Sequence, residues 1–205
     1  MARHRKTDPQ EALMRAMALF YEHGYEAVGT RQIEEQAGIT RFTLQTVYGG
    51  KMALYEQTLD LYLTLSEGTV APPAQVDTVD QLADWFLSRL SPPEDLKGMA
   101  RGGCFFLNAM VEFGACNPVV TARRARYRAM IGGRFVSALE GLKQAGLLPA
   151  GFDVAPHAEI LNACTLSMNI DIRAAHDNAA ARPIAEACAA LVRGWGRREP
   201  VSDHD

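Results

Sequence analysis

The sequence predicts an all-α fold, and three observations carry that prediction. Apolar residues recur at spacings of three and four, as in Leu13, Ala16, Met17 and Phe20, which is the period of one helix face. Helix punctuation bounds these runs, with capping residues before them and Gly or Pro after them. No segment of useful length shows the apolar–polar alternation of a strand, and no repeat or low-complexity tract interrupts the pattern.

The elements follow in order. Asp8-Pro9-Gln10-Glu11 opens the first helix, with an acid at the cap, proline in the first turn and Glu three residues on. Gly24 stops it. After a short loop, Thr30 is expected to cap a second, short helix with Ile33 and Ala37 inward and Gly38 at its end. Thr40 is expected to cap a third, with Leu44, Val47 and Tyr48 inward and Gly49-Gly50 closing it. A long helix is expected over 52–67, then a loop holding Pro72-Pro73, a helix near 78–91, and a loop opened by Pro92-Pro93. A largely apolar, central helix is expected near 103–115. Asn117-Pro118 starts a long helix to about Ala145, striped by Tyr127, Ile131, Phe135, Ala138 and Leu142. Helices near 155–177 and 181–197 close the chain.

Composition narrows the function classes. The chain has 205 residues, enough for one large domain or two small ones with a real core. Its 48% hydrophobic and 22% charged content suits a globular protein and not a disordered one. The net charge of −3 hides an asymmetry. Residues 1–51 carry seven Lys/Arg against six Asp/Glu, and the remainder 14 against 18. Positive charge is thus local, at Arg3, Arg5, Lys6, Arg31, Arg41 and Lys51, and local clustering is what phosphate contact requires. Cys104, Cys116, Cys164 and Cys188 form no C-x-x-C pair, so no zinc site or disulfide framework is expected and a reducing cytosol fits. No apolar stretch resembles a signal peptide or spans a bilayer; the expectation is a cytoplasmic protein with no membrane partner. His157 and His176 have no patterned acid or nucleophile beside them. No enzyme, cofactor or metal is therefore expected.

Two short helices joined by a tight Gly-containing turn make a helix-turn-helix, here Thr30 to Tyr48 with Gly38 at the turn. The first helix must brace the second so that its outer face enters the DNA major groove. At 100° per residue, a buried centre of Leu44, Val47 and Tyr48 puts Phe42 and Thr46 outward, flanked by Thr43 and Gln45. Phe42 suits a thymine methyl or a sugar, Gln45 an adenine edge and Thr46 either base type. Thr30, Arg31, Arg41, Thr43 and Lys51 are placed for phosphates; Tyr48 completes the expected DNA-binding set. The alternative for any one of these polar residues is a solvated helix face.

The stretch T-R-Q-I-E-E-Q-A-G-I-T-R-F-T-L-Q-T-V-Y-G-G-K-M-A-L, preceded by A-L-F-Y-E-H-G-Y-E-A-V-G-T, resembles the DNA-binding region of the TetR/AcrR family of repressors over about residues 8–60. Two positions depart from the family pattern. Gln45 stands where the family usually has Tyr, often a phosphate contact, and Phe42 where a small residue is common. Both bear on the operator sequence and not on the mode of binding. The resemblance implies a helix from Met52 that connects reader and sensor, and an arm, Arg3-His4-Arg5-Lys6, that reaches phosphates or the minor groove. The expected division is a helix-turn-helix domain at 1–51, a helical effector-binding and dimerisation domain at 52–200 and a flexible tail at 201–205.

One reader helix covers few base pairs, so specificity needs two, and a two-fold dimer on a palindromic operator supplies them. The expected dimer stripes are Ile184, Cys188, Leu191 and Trp195 on the last helix and Leu161, Cys164 or Thr165, Met168 and Ile172 on its partner, with Ala163 and Ser167 allowing close approach; the alternative is packing within one subunit. An unidentified small-molecule effector is expected among the middle helices, against Trp85, Phe86, Phe106, Asn108, Met110, Phe113, Tyr127 and Met168, each of which also suits a plain core. Gly132-Gly133 within a helix suggests close packing or a bend, and the basic run Arg123, Arg124, Arg126 and Arg128 a solvated face, the alternative being contact with an anionic effector. The segment G-G-C-F-F-L-N-A-M-V-E-F resembles the G-C-x-x-x-N-x-x-x-E helix of one branch of the family, in which some members sense electrophiles or oxidants through cysteine. Cys104 near a helix N-terminus is therefore the alternative sensor, its other reading being a small buried residue.

Overall fold

The computed structural model describes residues 8–92 and 101–196. The basic arm Arg3-His4-Arg5-Lys6 and the tail 201–205 lie outside them. The described residues form α1 (Pro9–His23), α2 (Thr30–Gln32) running into a π-wound turn (Ile33–Ala37), α3 (Arg41–Thr46), α4 (Lys51–Thr69), α5 (Val79–Ser88), α6 (Phe105–Phe113), α7 (Pro118–Gln144), α8 (Val154–Ala175), a 3-10 turn (Asn178–Ala181) and α9 (Arg182–Trp195), with no strand among them. Contacts divide the chain into two compact units, 8–70 with 102–128 and 71–92 with 101 and 129–196. They group α4, α6 and the start of α7 with the first three helices, whereas the sequence reading divides the chain at 51/52.

In the first unit, the Asp8 carboxylate accepts from the Gln10 amide, Pro9 sits in the first turn and Gly24 ends α1, as the local chemistry requires. Ala12, Ala16, Met17, Leu19 and Phe20 bury the inner face, and α1 packs on α4, which contributes Leu54, Tyr55 and Leu59 to the core. Tyr55 meets Phe20 edge-on at 5.2 Å and Phe105 at 5.5 Å, the arrangement that ring quadrupoles favour. Arg123 is not on a solvated face. Its guanidinium donates twice to the Asp60 carboxylate, at 2.9 and 2.8 Å, and lies 3.7 Å from Glu56, which fixes α7 against α4.

The segment before α6 lies directly on α1. The Tyr21 hydroxyl donates to the Gly103 carbonyl at 2.8 Å, and a Cβ at Gly102 would stand 2.1 Å from the Tyr21 ring. Only glycine lets backbone and ring approach this closely.

In the second unit, Phe86 and Phe135 stack with centroids 5.9 Å apart, and Trp85 stands edge-on to both, at 4.9 and 5.5 Å. The last helix, α9, packs along α5, and Arg193 bridges Asp80 and Asp84 across that contact. The pair Gly132-Gly133 marks no close approach. A Cβ at Gly132 would meet Asn162 at an ordinary 3.6 Å, and one at Gly133 would meet nothing within 4 Å.

Replacing Gly102 with Ala forces either the Tyr21 ring or the 102–103 backbone to move. Chemical denaturation of Gly102→Ala should show a loss of about 1–3 kcal/mol, and an unchanged midpoint would contradict the contact.

Candidate nucleic-acid interface

The reader is built around one turn and one cap. Gly38 takes a left-handed φ of +73°, which costs glycine nothing and other residues strain, and the turn carries the chain from the π-wound end of α2 into α3. The Thr40 hydroxyl accepts from the Thr43 amide at 3.1 Å and shares a 2.9 Å hydrogen bond with the Thr43 hydroxyl. It therefore caps α3 as expected. Thr30 does not cap α2. Gly29 occupies the cap position with no side-chain bond, and Thr30 is the first helical residue.

Leu44 is fully buried and Tyr48 buried behind α3, while Arg41, Phe42, Gln45 and Thr46 are exposed. Phe42 is 76% exposed, and the Thr46 hydroxyl donates to its carbonyl at 2.9 Å. Val47 is a correction. It was expected inward, yet it is 70% exposed, because α3 ends at Thr46. Beyond that point the chain winds down through bonds from the Tyr48 amide to Thr43 and the Gly50 amide to Leu44, so Tyr48 folds back and Val47 swings out. The outward surface thus carries two apolar side chains, Phe42 and Val47, among polar ones.

Two of the cations around it are held by neighbours. Arg31 pairs with Glu35 at 2.8 Å. The Lys51 ammonium lies 4.1 Å from the centre of the Tyr25 ring, within cation–π range. Burial, then the charges of Glu26 and Glu112, hold the Tyr25 hydroxyl above its ordinary pKa. Behind Tyr25 is a contact the sequence reading missed. The Glu112 carboxylate on α6 accepts from the amides of Tyr25 and Glu26, at 2.8 and 2.6 Å, charge-assisted bonds of the stronger kind. Asn108, one turn earlier on α6, donates to the Tyr21 carbonyl at 3.4 Å and the Gly102 carbonyl at 3.5 Å. The Asn and Glu of the G-C-x-x-x-N-x-x-x-E pattern thus fasten α6 to the end of α1 and the loop after it. Asn108, expected against a ligand, spends its amide on these two carbonyls.

Residues 12–58 match the family described as "Bacterial regulatory proteins, tetR family", and residues 79–188 match "Tetracyclin repressor-like, C-terminal domain". The chain belongs to the TetR family. It is a DNA-binding transcriptional regulator. The HTH-type transcriptional repressor ComR of Escherichia coli strain K12 is 26% identical over 199 residues, spanning 92% of this chain and 89% of ComR. A TetR-family regulator from Cytophaga hutchinsonii shares the fold at a TM-score of 0.77 and 16% identity, over 97% of this chain and all of that one. CifR, a TetR-family regulator solved as a cysteine mutant with 26-bp double-strand operator DNA, has a TM-score of 0.64 at 21% identity, over 95% of this chain and all of CifR.

The other expected sites of this TetR-family regulator fall as follows. Phe106, Met110, Phe113 and Tyr127 lie in the first unit, where Phe106 and Tyr127 pack at 4.9 Å. Trp85, Phe86 and Met168 lie in the second. Among the described residues of the first unit, the Tyr55 hydroxyl, the Thr121 hydroxyl and Nε of Arg124 are buried without a partner. Ties from Asn117 to Met52 and from Arg123 to Asp60 and Glu56 set the start of α7 beside α4. Of the expected dimer stripes, Leu161, Met168, Ile172 and Cys188 are buried within the single chain, and Trp195 packs on Phe152 and His157 at 5.5 and 4.7 Å. Ile184 is half-buried and Leu191 exposed. The exposed residues on these faces are Ile160, Ala163, Ile170 and Ala174 on α8, with Ser167 half-buried among them, and Ala187, Leu191 and Gly194 on α9 beside the half-buried Ile184.

Cys104 occupies the cap position of α6 and is 4% exposed. Burial pushes its thiol up, outweighing hydrogen bonds from Leu107, Tyr127, Phe106 and Tyr62 that pull it down. That is the opposite of the activation expected from a helix N-terminus. Among the described residues, no group of three or more His, Cys, Asp or Glu is placed to hold a metal ion, and no helix is long and apolar enough to cross a membrane.

Thr40→Ala removes the α3 cap and should lower stability by about 1 kcal/mol, read as the shift of a thermal or urea midpoint. A silent substitution would mean that the 3.1 Å bond contributes nothing.

Proposed function

We propose that this regulator is a cytoplasmic repressor that binds a palindromic operator as a homodimer and leaves it when a small-molecule effector binds. The observation that carries the reading is α3, a six-residue helix buried by Leu44 from behind, whose free side holds Phe42, Gln45 and Thr46 out to solvent, with Val47 exposed just past its end. Two large apolar side chains exposed on so short an element call for a partner surface, and thymine methyls and sugars in the major groove supply one. Gln45 and Thr46 read base edges. Thr30, Arg31, Arg41, Thr43 and Lys51 meet phosphates around them, and Tyr48 holds the helix end. ComR is named a repressor and CifR was captured on operator DNA, which supports the same role here.

The outward stripes of α8 and α9 are the surface we assign to the second copy. Ala163, Ser167, Ala187 and Gly194 let two such pairs approach closely, and Ile160, Ile170 and Leu191 supply apolar area. For the effector, Phe106, Met110, Phe113 and Tyr127 form the apolar part of the site, with the Tyr55 and Thr121 hydroxyls and Arg124 Nε as its polar part. Helix α6 then serves both ends. Met110 and Phe113 face the effector, while Glu112 holds the loop that leads into the reader. A ligand that favours a shifted α6 acts on Tyr25 and Glu26 to the extent that it binds the shifted state more tightly.

Selection of bound sequences from random duplex DNA should yield a palindrome with half-sites about one helical turn apart; no enrichment at physiological salt would end this reading. Two substitutions separate the roles of individual residues. Thr46→Ala should relax preference at one position of each half-site. Lys51→Ala should weaken binding to every sequence and reduce the slope of log affinity against log salt by about 1 per subunit. The reverse pattern would exchange the two assignments.

A further inference from the structure

Lys51 is a cation in an unfavourable place. It opens α4, whose first turn carries no acid and no side-chain cap, and the positive end of a helix repels an ammonium. What faces it is the Tyr25 ring, whose centre lies 4.1 Å from the ammonium nitrogen. The attraction of a cation to a ring face offsets that repulsion. Tyr25 is itself fixed. Its ring stands 5.2 Å from the Tyr55 ring and 5.3 Å from the Phe113 ring, and its amide donates to the Glu112 carboxylate at 2.8 Å. Phe113 and Glu112 both belong to α6. Tyr25 lies in the loop before α2, and Lys51 begins the helix after α3. Their contact therefore joins the two ends of the reader, and α6 touches that junction twice.

We propose that Tyr25 is a positioning residue for DNA binding: its ring holds the Lys51 ammonium ready for a phosphate, and α6 sets the ring through Glu112 and Phe113. The proposal rests on the phosphate role given to Lys51 above. A lysine on a flexible stem gives up its rotamer freedom when it meets a phosphate. An ammonium already seated on a ring has given up much of it beforehand, so less is lost on binding. The ring covers one side of the ammonium. The N–H groups on the other side remain able to donate to a phosphate oxygen, so ring and phosphate do not compete. A shift of α6 acts in this way on the strength of phosphate contact as well as on the loop that leads into the helix-turn-helix.

The test measures binding of the full chain to a short fluorescently labelled duplex of arbitrary sequence over a range of salt concentrations. Phosphate contacts do not depend on sequence, so no operator is needed. Tyr25→Leu should weaken binding by about two- to tenfold per reader, yet leave the slope of log affinity against log salt unchanged, because every charge is still present. Tyr25→Phe, which keeps the ring face, should bind as the unaltered protein does. In a chain already carrying Lys51→Ala, Tyr25→Leu should cause no further loss, since a double-mutant cycle isolates the coupling of the pair. Equal losses with and without Lys51 would mean that Tyr25 only supports the fold, and would overturn the proposal. Undiminished binding by Tyr25→Leu would do the same. Both of those outcomes leave the phosphate role of Lys51 standing, whereas undiminished binding by Lys51→Ala alone would remove that role and the proposal with it. One further measurement needs no variant to fold. In the proton spectrum of the unaltered protein, the ε-methylene of Lys51, one of four lysines, should resonate upfield of the others because it lies over an aromatic face; an ordinary shift would show that the ring does not hold it.

Discussion

A helix of six residues does not stand by itself in water, since nucleation costs more than so few hydrogen bonds return. The reader surface of this protein is such a helix, and its existence depends on what braces it. Leu44 is buried behind it, the Thr40 hydroxyl closes its first turn, and Tyr48 folds back under its last. Because these three hold the helix from the inner side and the two ends, the outer side is free of structural duty. Phe42 and Val47 can be presented to solvent without loss of the fold, and the choice of side chains there is left to the partner surface. The departures of Phe42 and Gln45 from the usual family pattern sit on that free side.

A second consequence of short reader helices is that their orientation must be imposed from elsewhere. Glu112 does this within the first unit, through two amides of the loop that joins α1 to α2. Asn108 and Gly102 hold the end of α1 from the same segment. The start of the helix-turn-helix is thereby tied to α6 by directional bonds as well as by the apolar contact around Tyr55 and Phe113. Directional bonds matter because apolar contacts alone permit sliding.

What was legible in the sequence was local. The Asp8 cap, the stops at Gly24 and Gly38, the Thr40 cap and the order of the helices all depend on chemistry within a few residues, and all are present. Thr30 has the right side chain for a cap, but Gly29 holds that position. A helical rotation continued past Thr46 puts Val47 inward, but the helix stops there. Glu112 was not legible as a fastening because its partners lie 86 and 87 residues away, and nothing in the spacing of an acid on α6 announces them. On α8 and α9 periodicity found apolar faces but not their neighbours. Each helix has an inner and an outer apolar stripe, and four of the residues expected outside, Leu161, Met168, Ile172 and Cys188, belong to the inner one. At Cys104 two opposed effects met, the helix terminus and burial, and their balance depends on packing that the sequence does not display.

The contact between Gly102 and Tyr21 has a consequence for how this chain can vary over evolutionary time. A ring and a backbone that close on each other leave no room for independent change at either position. Where a relative carries a side chain at the site of Gly102, the residue facing it should have shrunk in step, and where the glycine persists a large ring should persist with it. The two positions should therefore drift as one, 81 places apart in the sequence, as a covarying pair detectable in an alignment.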